Sequence, residues 1–262
     1  MELDESFEAN ARGWLRMSKR PFLRTVSAIT GTYRKHQELF WLIVTCASIG
    51  IGAMCLACLG NPKNSGLCVS CFLENLAGSL GLHDNVRMQY IRPELIGFVL
   101  GGTLSAMFFG EFKVVGGRAL VPRFVGGFLM ILGSAIFIGC PIRLISRLAG
   151  GDGSALVGVP GLVLGIWLGL LFLRNGFDLG ESVPRPKAFG AITPLFAIAL
   201  LAAVALKPDF LHFSWFGPGA QHATIKKSLA IGLLIGFGAQ RSRYCLTGSI
   251  GQFIATRQFL RL

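Results

Sequence analysis

The sequence predicts an all-α polytopic membrane protein, and three observations carry that reading. Of 262 residues 52% are hydrophobic, while only 25 are basic and 13 acidic. The charges lie between long uncharged runs at Leu39–Gly60, Leu95–Gly110, Phe124–Ile142, Ser154–Leu173, Ala188–Leu206 and Ser228–Gln240. Glycine, at 35 residues, is about twice its ordinary share. It recurs four apart at Gly97/Gly101, Gly161/Gly165/Gly169 and Gly232/Gly236, a spacing that suits close helix contacts in lipid. The net charge of +12 raises nucleic acid as a partner, yet the basic residues stand singly and gather on no polar face. The charge reads as topology, and no nucleic acid is expected.

Residues 1–38 carry seven basic residues and no apolar run, so no cleaved signal peptide is expected and the segment reads as a basic cytoplasmic arm. Leu39–Gly60 is uncharged throughout and, at about 1.5 Å per residue, is long enough to cross a hydrocarbon core of roughly 30 Å. The segment Gly60-Asn61-Pro62-Lys63-Asn64-Ser65-Gly66 then breaks any helix. Leu67–Leu82 is apolar but interrupted by Glu74, Gly78 and Gly81, too short to span. Such a segment sits at membrane depth only if it is buried in protein or lines a cavity, because exposed backbone groups in lipid each cost several kcal/mol. It reads as a re-entrant half-helix, with a helix on the periplasmic surface as the alternative. If each later run crosses once, 17 basic residues lie on the side of the N-terminus and 8 on the other, which favours a cytoplasmic N-terminus. Lipid is therefore the expected surrounding. Residues 39–187 form one membrane repeat and residues 188–262 part of a second.

The seven cysteines differ in setting. Cys46 lies among apolar neighbours and reads as a small hydrophobe. Cys55/Cys58 and Cys68/Cys71 are two CxxC pairs, but the first sits in an uncharged helix and no histidine lies near, which argues against zinc or an iron–sulfur cluster. No metal or other cofactor is expected. Cys68, Cys71 and Asn75 fall on one face of the half-helix, and Asn61 and Asn64 in the preceding break add further polar groups for a pore lining. A neutral thiol is cheap at membrane depth, whereas a fixed charge there costs at least a few kcal/mol. Thiols can line a path through a dry region, packing by small residues being the alternative. Cys140 ends a run as Gly139-Cys140-Pro141 and is followed by Arg143 and Arg147 at i, i+4. Guanidinium groups bind anions well, although arginines here also serve by snorkelling to headgroups. The stretch Gln240-Arg241-Ser242-Arg243-Tyr244-Cys245 again brings a basic loop and a thiol to a short apolar segment. Cys68 and Cys245 lie on opposite faces by the crossing count, as an inverted repeat predicts. Asp152, in its glycine-rich setting, reads as a helix stop or cap, and the four histidines lack ligand spacing. No Walker motif is present, and no enzyme activity is expected.

Four separated motifs resemble the YeeE/YedE sulfur-transport family, in particular its selenium-metabolism YedE branch. They are Gly60–Phe72, Gln89-Tyr90-Ile91-Arg92-Pro93-Glu94, Gly139-Cys140-Pro141-Ile142-Arg143 with Arg147 and Gly151-Asp152, and Ala239–Cys245. The similarity runs from about Leu39 to Gly248. It implies a bacterial inner-membrane protein built as an inverted repeat with short re-entrant helices. In such a protein Cys68, Cys140 and Cys245 form a relay, joined by the extra Cys71 of the selenium branch's CxxC. The second glycine-cysteine motif and the arginine-aspartate pair of the family are absent, so the second repeat is expected to be incomplete and the sequence truncated at its C-terminus.

The expected function is a permease for a small selenium- or sulfur-containing anion such as thiosulfate. Cys68, Cys71, Cys140 and Cys245 would line its path, and Arg143, Arg147, Arg241 and Arg243 would attract the anion at the mouths. A cytoplasmic sulfur- or selenium-carrier protein is the partner such a permease would feed. The rivals are a membrane thiol–disulfide oxidoreductase using Cys68/Cys71 with Cys55/Cys58, and an accessory protein of selenium metabolism.

Overall fold

In a computed structural model the described residues are 39–62, 66–117, 119–137, 139–178, 180, 182–243 and 245–256. The basic arm, Asn64 and Tyr244 lie outside them. The protein is mostly helical, as the uncharged runs require. Its helices are α1 (Leu39–Cys58), α2 (Val69–Ser79), α3 (Pro93–Phe108), α4 (Leu120–Ile136), α5 (Pro141–Ala149), α6 (Gly153–Arg174), α7 (Lys187–Gly190), α8 (Ile192–Leu206), α9 (Ile225–Ser242) and α10 (Leu246–Thr256). Four stretches are long and apolar enough to cross a membrane: Leu39–Cys58, Leu120–Ala149, Gly153–Arg174 and Lys187–Leu206. The α3 helix, with 16 residues, is shorter.

The apolar run breaks at Cys140, as its Gly139-Cys140-Pro141 ending predicts: α4 ends at Ile136 and α5 begins at Pro141, whose missing N–H and fixed φ suit a first helical position. One feature departs from the sequence reading. The protein holds a two-stranded antiparallel ribbon, β1 (Val115–Gly117) with β2 (Ser182–Pro184), in register Val115 to Pro184 and Gly117 to Ser182. It ties the segment after α3 to the one after α6, where short loop strands leave little periodic signal in the sequence.

The helices form two regions. In the first, α3 packs along α9 and also against α8. Glycine makes the close approach possible. A Cβ at Gly101 would fall on the Leu233 carbonyl, and one at Gly232 or Gly236 would fall on the backbone of Glu94 or Phe98. The α1 helix lies against α9, where a Cβ at Gly52 would strike Ile235 and one at Gly238 would approach Thr45 Oγ1 at 3.1 Å. The apolar core sits around this seam: Leu76, Ile91, Ile96, Ala197, Leu200 and Val204 form one cluster, and Leu67, Leu95 and Ile235 a second.

The second region, α4, α5, α6 and α10, is open. No residue of α4 is buried, and in α6 only Ala155 is. The expectation that Gly161, Gly165 and Gly169 make close helix contacts fails among the described residues, since a Cβ at any of them meets nothing within 4 Å. Gly161 and Gly165 instead line a cavity of about 930 Å³ between α4, α5 and α6.

Candidate functional site

Three of the short helices begin on a cysteine. Cys68 precedes α2, Cys140 precedes α5 and Cys245 precedes α10, helices of 11, 9 and 11 residues. In each case the cysteine carbonyl accepts the first helical hydrogen bond: from Phe72 N–H at 3.0 Å, from Leu144 N–H at 3.0 Å and from Ser249 N–H at 2.9 Å. Each cysteine is thus an N-cap in backbone terms, and the free N–H groups of the first turn leave a partial positive charge beside it. Cysteine is not a favoured cap residue, so local helix propensity does not account for three of them.

Two of these helix starts meet. The Cys68 thiol neighbours Cys71 and Cys140, and its Sγ lies 3.3 Å from Ser70 Oγ. The Cys140 thiol donates to the Leu67 carbonyl at 3.8 Å. Arg143, three residues into the Cys140 helix, donates from Nη1 to Cys71 Sγ at 2.7 Å, so the cation of one short helix reaches the thiol of the other. Cys68 and Cys140 are buried and Cys71 is half-buried; all seven cysteines are free. Among the described residues no group of three or more His, Cys, Asp or Glu is arranged to hold a metal ion.

Cys245 stands apart. It is exposed, and its Sγ accepts from the Gly248 N–H at 3.4 Å. The cavity between α4, α5 and α6 bridges toward it: Gly139 and Pro141, the neighbours of Cys140, line that cavity, as does Thr247, two residues beyond Cys245.

The four arginines differ in role. Arg143 touches a thiol, that of Cys71. Arg147 donates from Nε to Asp152 Oδ2 at 2.7 Å, from Nη1 to the Phe137 carbonyl at 3.0 Å and from Nη2 to Ser154 Oγ at 2.7 Å, and its guanidinium lies 5.3 Å from the Phe137 ring centre. It clamps the α4–α5 break to the start of α6. Asp152 is the N-cap of α6, as its setting predicts, accepting from Ser154 N–H at 3.0 Å. Hydrogen bonds from Ser154 and then Arg147 hold its carboxyl at about 2, below the usual carboxylate range. Arg241 pairs with Glu111 at 3.0 Å over the Phe109 ring, whereas Arg243 is 4.0 Å from the same carboxylate and largely exposed.

The polar residues also separate. Asn61 is buried and engaged on both sides: its Nδ2 donates to Glu94 Oε1 at 3.2 Å, and its Oδ1 accepts from Ala223 N–H at 2.8 Å. It ties the end of α1 to the starts of α3 and α9. Asn75 is fully buried, and among the described residues neither of its side-chain polar atoms has a partner.

Sequence reasoning passed over Arg92 and Glu94 as site residues. Both are buried, and they pair at 3.4 Å. Burial, with the Glu94 carboxylate beside it, pushes the Tyr90 phenol up, and the Tyr90 ring stacks on His222 at 4.4 Å. The signal was present: Arg92-Pro93-Glu94 places two charges at the edge of an apolar run, the setting in which an ionisable group at membrane depth marks function.

No family model, no curated protein and no solved structure matches the sequence.

Proposed function

We propose that this protein is a membrane permease for a small selenium- or sulfur-containing anion, passed along a relay of cysteines. The observation that carries the reading is the meeting of two cysteine-started helices, with Cys140 donating to the Leu67 carbonyl beside Cys68 and Arg143 donating to Cys71. Helix N-termini favour negative charge, a guanidinium adds a full cation, and polarizable S–H groups donate weakly to a soft anion without the cost of a fixed charge in lipid. Cys68, Cys71 and Cys140 form the inner station of the relay. The cargo then enters the cavity beside Cys140 and leaves past Cys245, whose helix start borders the same space. Arg143 acts at the thiols, while Arg241 and Arg243 flank the exit beside Glu111. Arg147 holds the α4–α5 break in shape.

Short helices that stop part-way and present their N-termini to a path are a recurring transporter plan, often built as an inverted repeat. The resemblance of the four motifs to the YeeE/YedE family supports that plan here, with a bacterial inner membrane, a cytoplasmic N-terminus and a soluble sulfur- or selenium-carrier as receiver. Uptake of labelled thiosulfate and of labelled selenium anions by cells expressing the protein tests it. Cys68→Ser lowers uptake at least tenfold at equal amounts of folded protein; uptake unchanged by the substitution removes the relay.

One observation favours a second reading. The nearness of Cys68 to two free thiols, Cys71 and Cys140, is what a thiol–disulfide oxidoreductase needs. Such an enzyme cycles a disulfide during turnover, which alkylation and mass measurement detect, whereas a relay keeps its thiols free.

A further inference from the structure

The connection from α2 to α3 and the connection from α8 to α9 are bonded into one plate. His212 N–H donates to the Ser79 carbonyl at 2.9 Å, and Ser79 Oγ donates to the His212 carbonyl at 3.0 Å. Ser214 N–H donates to the Gln89 carbonyl at 2.8 Å, Gln89 N–H to Ser214 Oγ at 2.8 Å and Gly219 N–H to the Arg87 carbonyl at 2.9 Å. Backbone groups of two loops thus satisfy one another, which gives the pair a fixed shape without helix or ladder.

The plate marks a level. Two stretches long enough to cross a membrane end on it. After Leu39–Cys58 comes Asn61, whose Oδ1 accepts from Ala223 N–H at 2.8 Å, and Lys187–Leu206 runs straight into the plate at Lys207. The α3 and α9 helices start from it at Pro93 and Ile225. Where two spans leave the hydrocarbon core side by side, the headgroups lie at that height. The plate therefore sits in the headgroup layer, whichever face of the membrane it belongs to.

What the plate exposes suits that layer and not water. Trp215 is 80% exposed, Leu82 76% and Phe210 68%. Trp215 and Phe216 meet edge to face with ring centres 4.7 Å apart, and the Arg87 guanidinium lies 5.9 Å from the Phe216 ring centre. An aromatic pair with a cation over one ring offers apolar surface to acyl chains and charge to phosphate at the same depth, as membrane-interface belts do. Four exposed cations, Arg87, Lys207, Lys226 and Lys227, stand on the plate and the first turn of α9, against two exposed carboxylates, Asp84 and Asp209. The excess favours an anionic headgroup.

We propose that this plate is a lipid-binding anchor: Trp215 and Phe216 enter the boundary between headgroups and acyl chains, and Arg87 gathers the phosphate of an anionic phospholipid. The proposal rests on the membrane placement of the helices and is independent of the cysteine relay.

The test uses the full-length protein in liposomes recovered by flotation. The Trp215 signal is the difference in emission between the parent and Trp215→Phe, a substitution that keeps an exposed ring and disturbs no side-chain hydrogen bond. Phosphatidylcholine brominated near the headgroup quenches that difference about twofold more than phosphatidylcholine brominated at the tail end. A minor fraction of brominated phosphatidylglycerol quenches it about twofold more than the same fraction of brominated phosphatidylcholine, and Arg87→Gln removes the excess. A Trp215 signal that neither lipid quenches, or that both depths quench equally, overturns the anchor. No excess from phosphatidylglycerol, or an excess that survives Arg87→Gln, overturns the phosphate contact. A protein that fails to float removes the membrane reading as well, whereas one that floats with Trp215 in water removes this proposal alone.

Discussion

The α3–α9 seam and the α4–α6 face carry the same sequence device, glycines spaced four apart, and use it in opposite ways. In the seam Gly97, Gly101, Gly232 and Gly236 let two backbones touch, and a Cβ at any of them meets backbone atoms. On α6 the repeat Gly161/Gly165/Gly169 touches nothing, and part of it borders a cavity. The difference teaches that small-residue spacing records the capacity for close approach and not its use. The seam packs backbone on backbone; the open face leaves room beside Cys140, whose neighbours Gly139 and Pro141 line the cavity.

The largest effect that would break this contrast is at the seam. Gly232→Leu forces a bulky group into the backbone at Glu94, and the folded yield collapses, since overpacking alone typically costs about 1–3 kcal/mol and backbone does not yield as flexible side groups do. Gly165→Leu stays within about 0.5 kcal/mol of the parent. Thermal unfolding and monodispersity in detergent check both, and equal damage from the two substitutions would erase the distinction.

The second prediction sharpens the contrast where the regions meet. Arg143→Gln removes the donor on Cys71 Sγ and changes the rate of Cys71 alkylation severalfold, with little loss of stability. Arg147→Gln does the reverse. It leaves alkylation alone and lowers stability by about 1–2 kcal/mol, because it frees Asp152, Ser154 and the Phe137 carbonyl. Mass-resolved alkylation beside thermal unfolding reads the pair.

The smallest effect concerns pH. Asp152 is depressed to about 2 in the folded protein, against an ordinary value near 3.9 when unfolded. The unfolded state binds the proton more readily, so the contribution of the cap and its Arg147 pair is fully present above about pH 4. It is lost as pH falls through about 2. The stability difference between the parent and Asp152→Asn is therefore flat from pH 8 to pH 5, and a slope in that range would assign the group a different partner.

Much of the frame was legible because burial in lipid leaves long uncharged runs: α1 and α8 lie in them, and α4 and α6 overlap theirs while taking in Arg123 and Arg174 at their ends. The short helix after Gly66 was readable from Glu74 and its glycines, and the cap role of Asp152 from its glycine-rich setting. What the sequence concealed depends on which elements meet. Nothing in the spacing of Cys68 and Cys140 says that their helix starts converge, and the i, i+4 pair Arg143/Arg147 looks uniform although one faces a thiol and the other a carboxylate. Asn61 and Asn75 read alike as pore-lining groups, yet the side chain of one is bonded on both sides and that of the other has no partner among the described residues. The β1–β2 ribbon escaped notice because three-residue strands are too short for alternation to register.

Flux through the purified protein in liposomes tests the central claim most directly. Thiosulfate entry would be followed with the parent protein, with protein alkylated at its thiols, and with Cys68→Ser. The account predicts flux by the parent alone, with protection of Cys68 from alkylation when thiosulfate is present. Equal flux from all three preparations would contradict the cysteine relay outright.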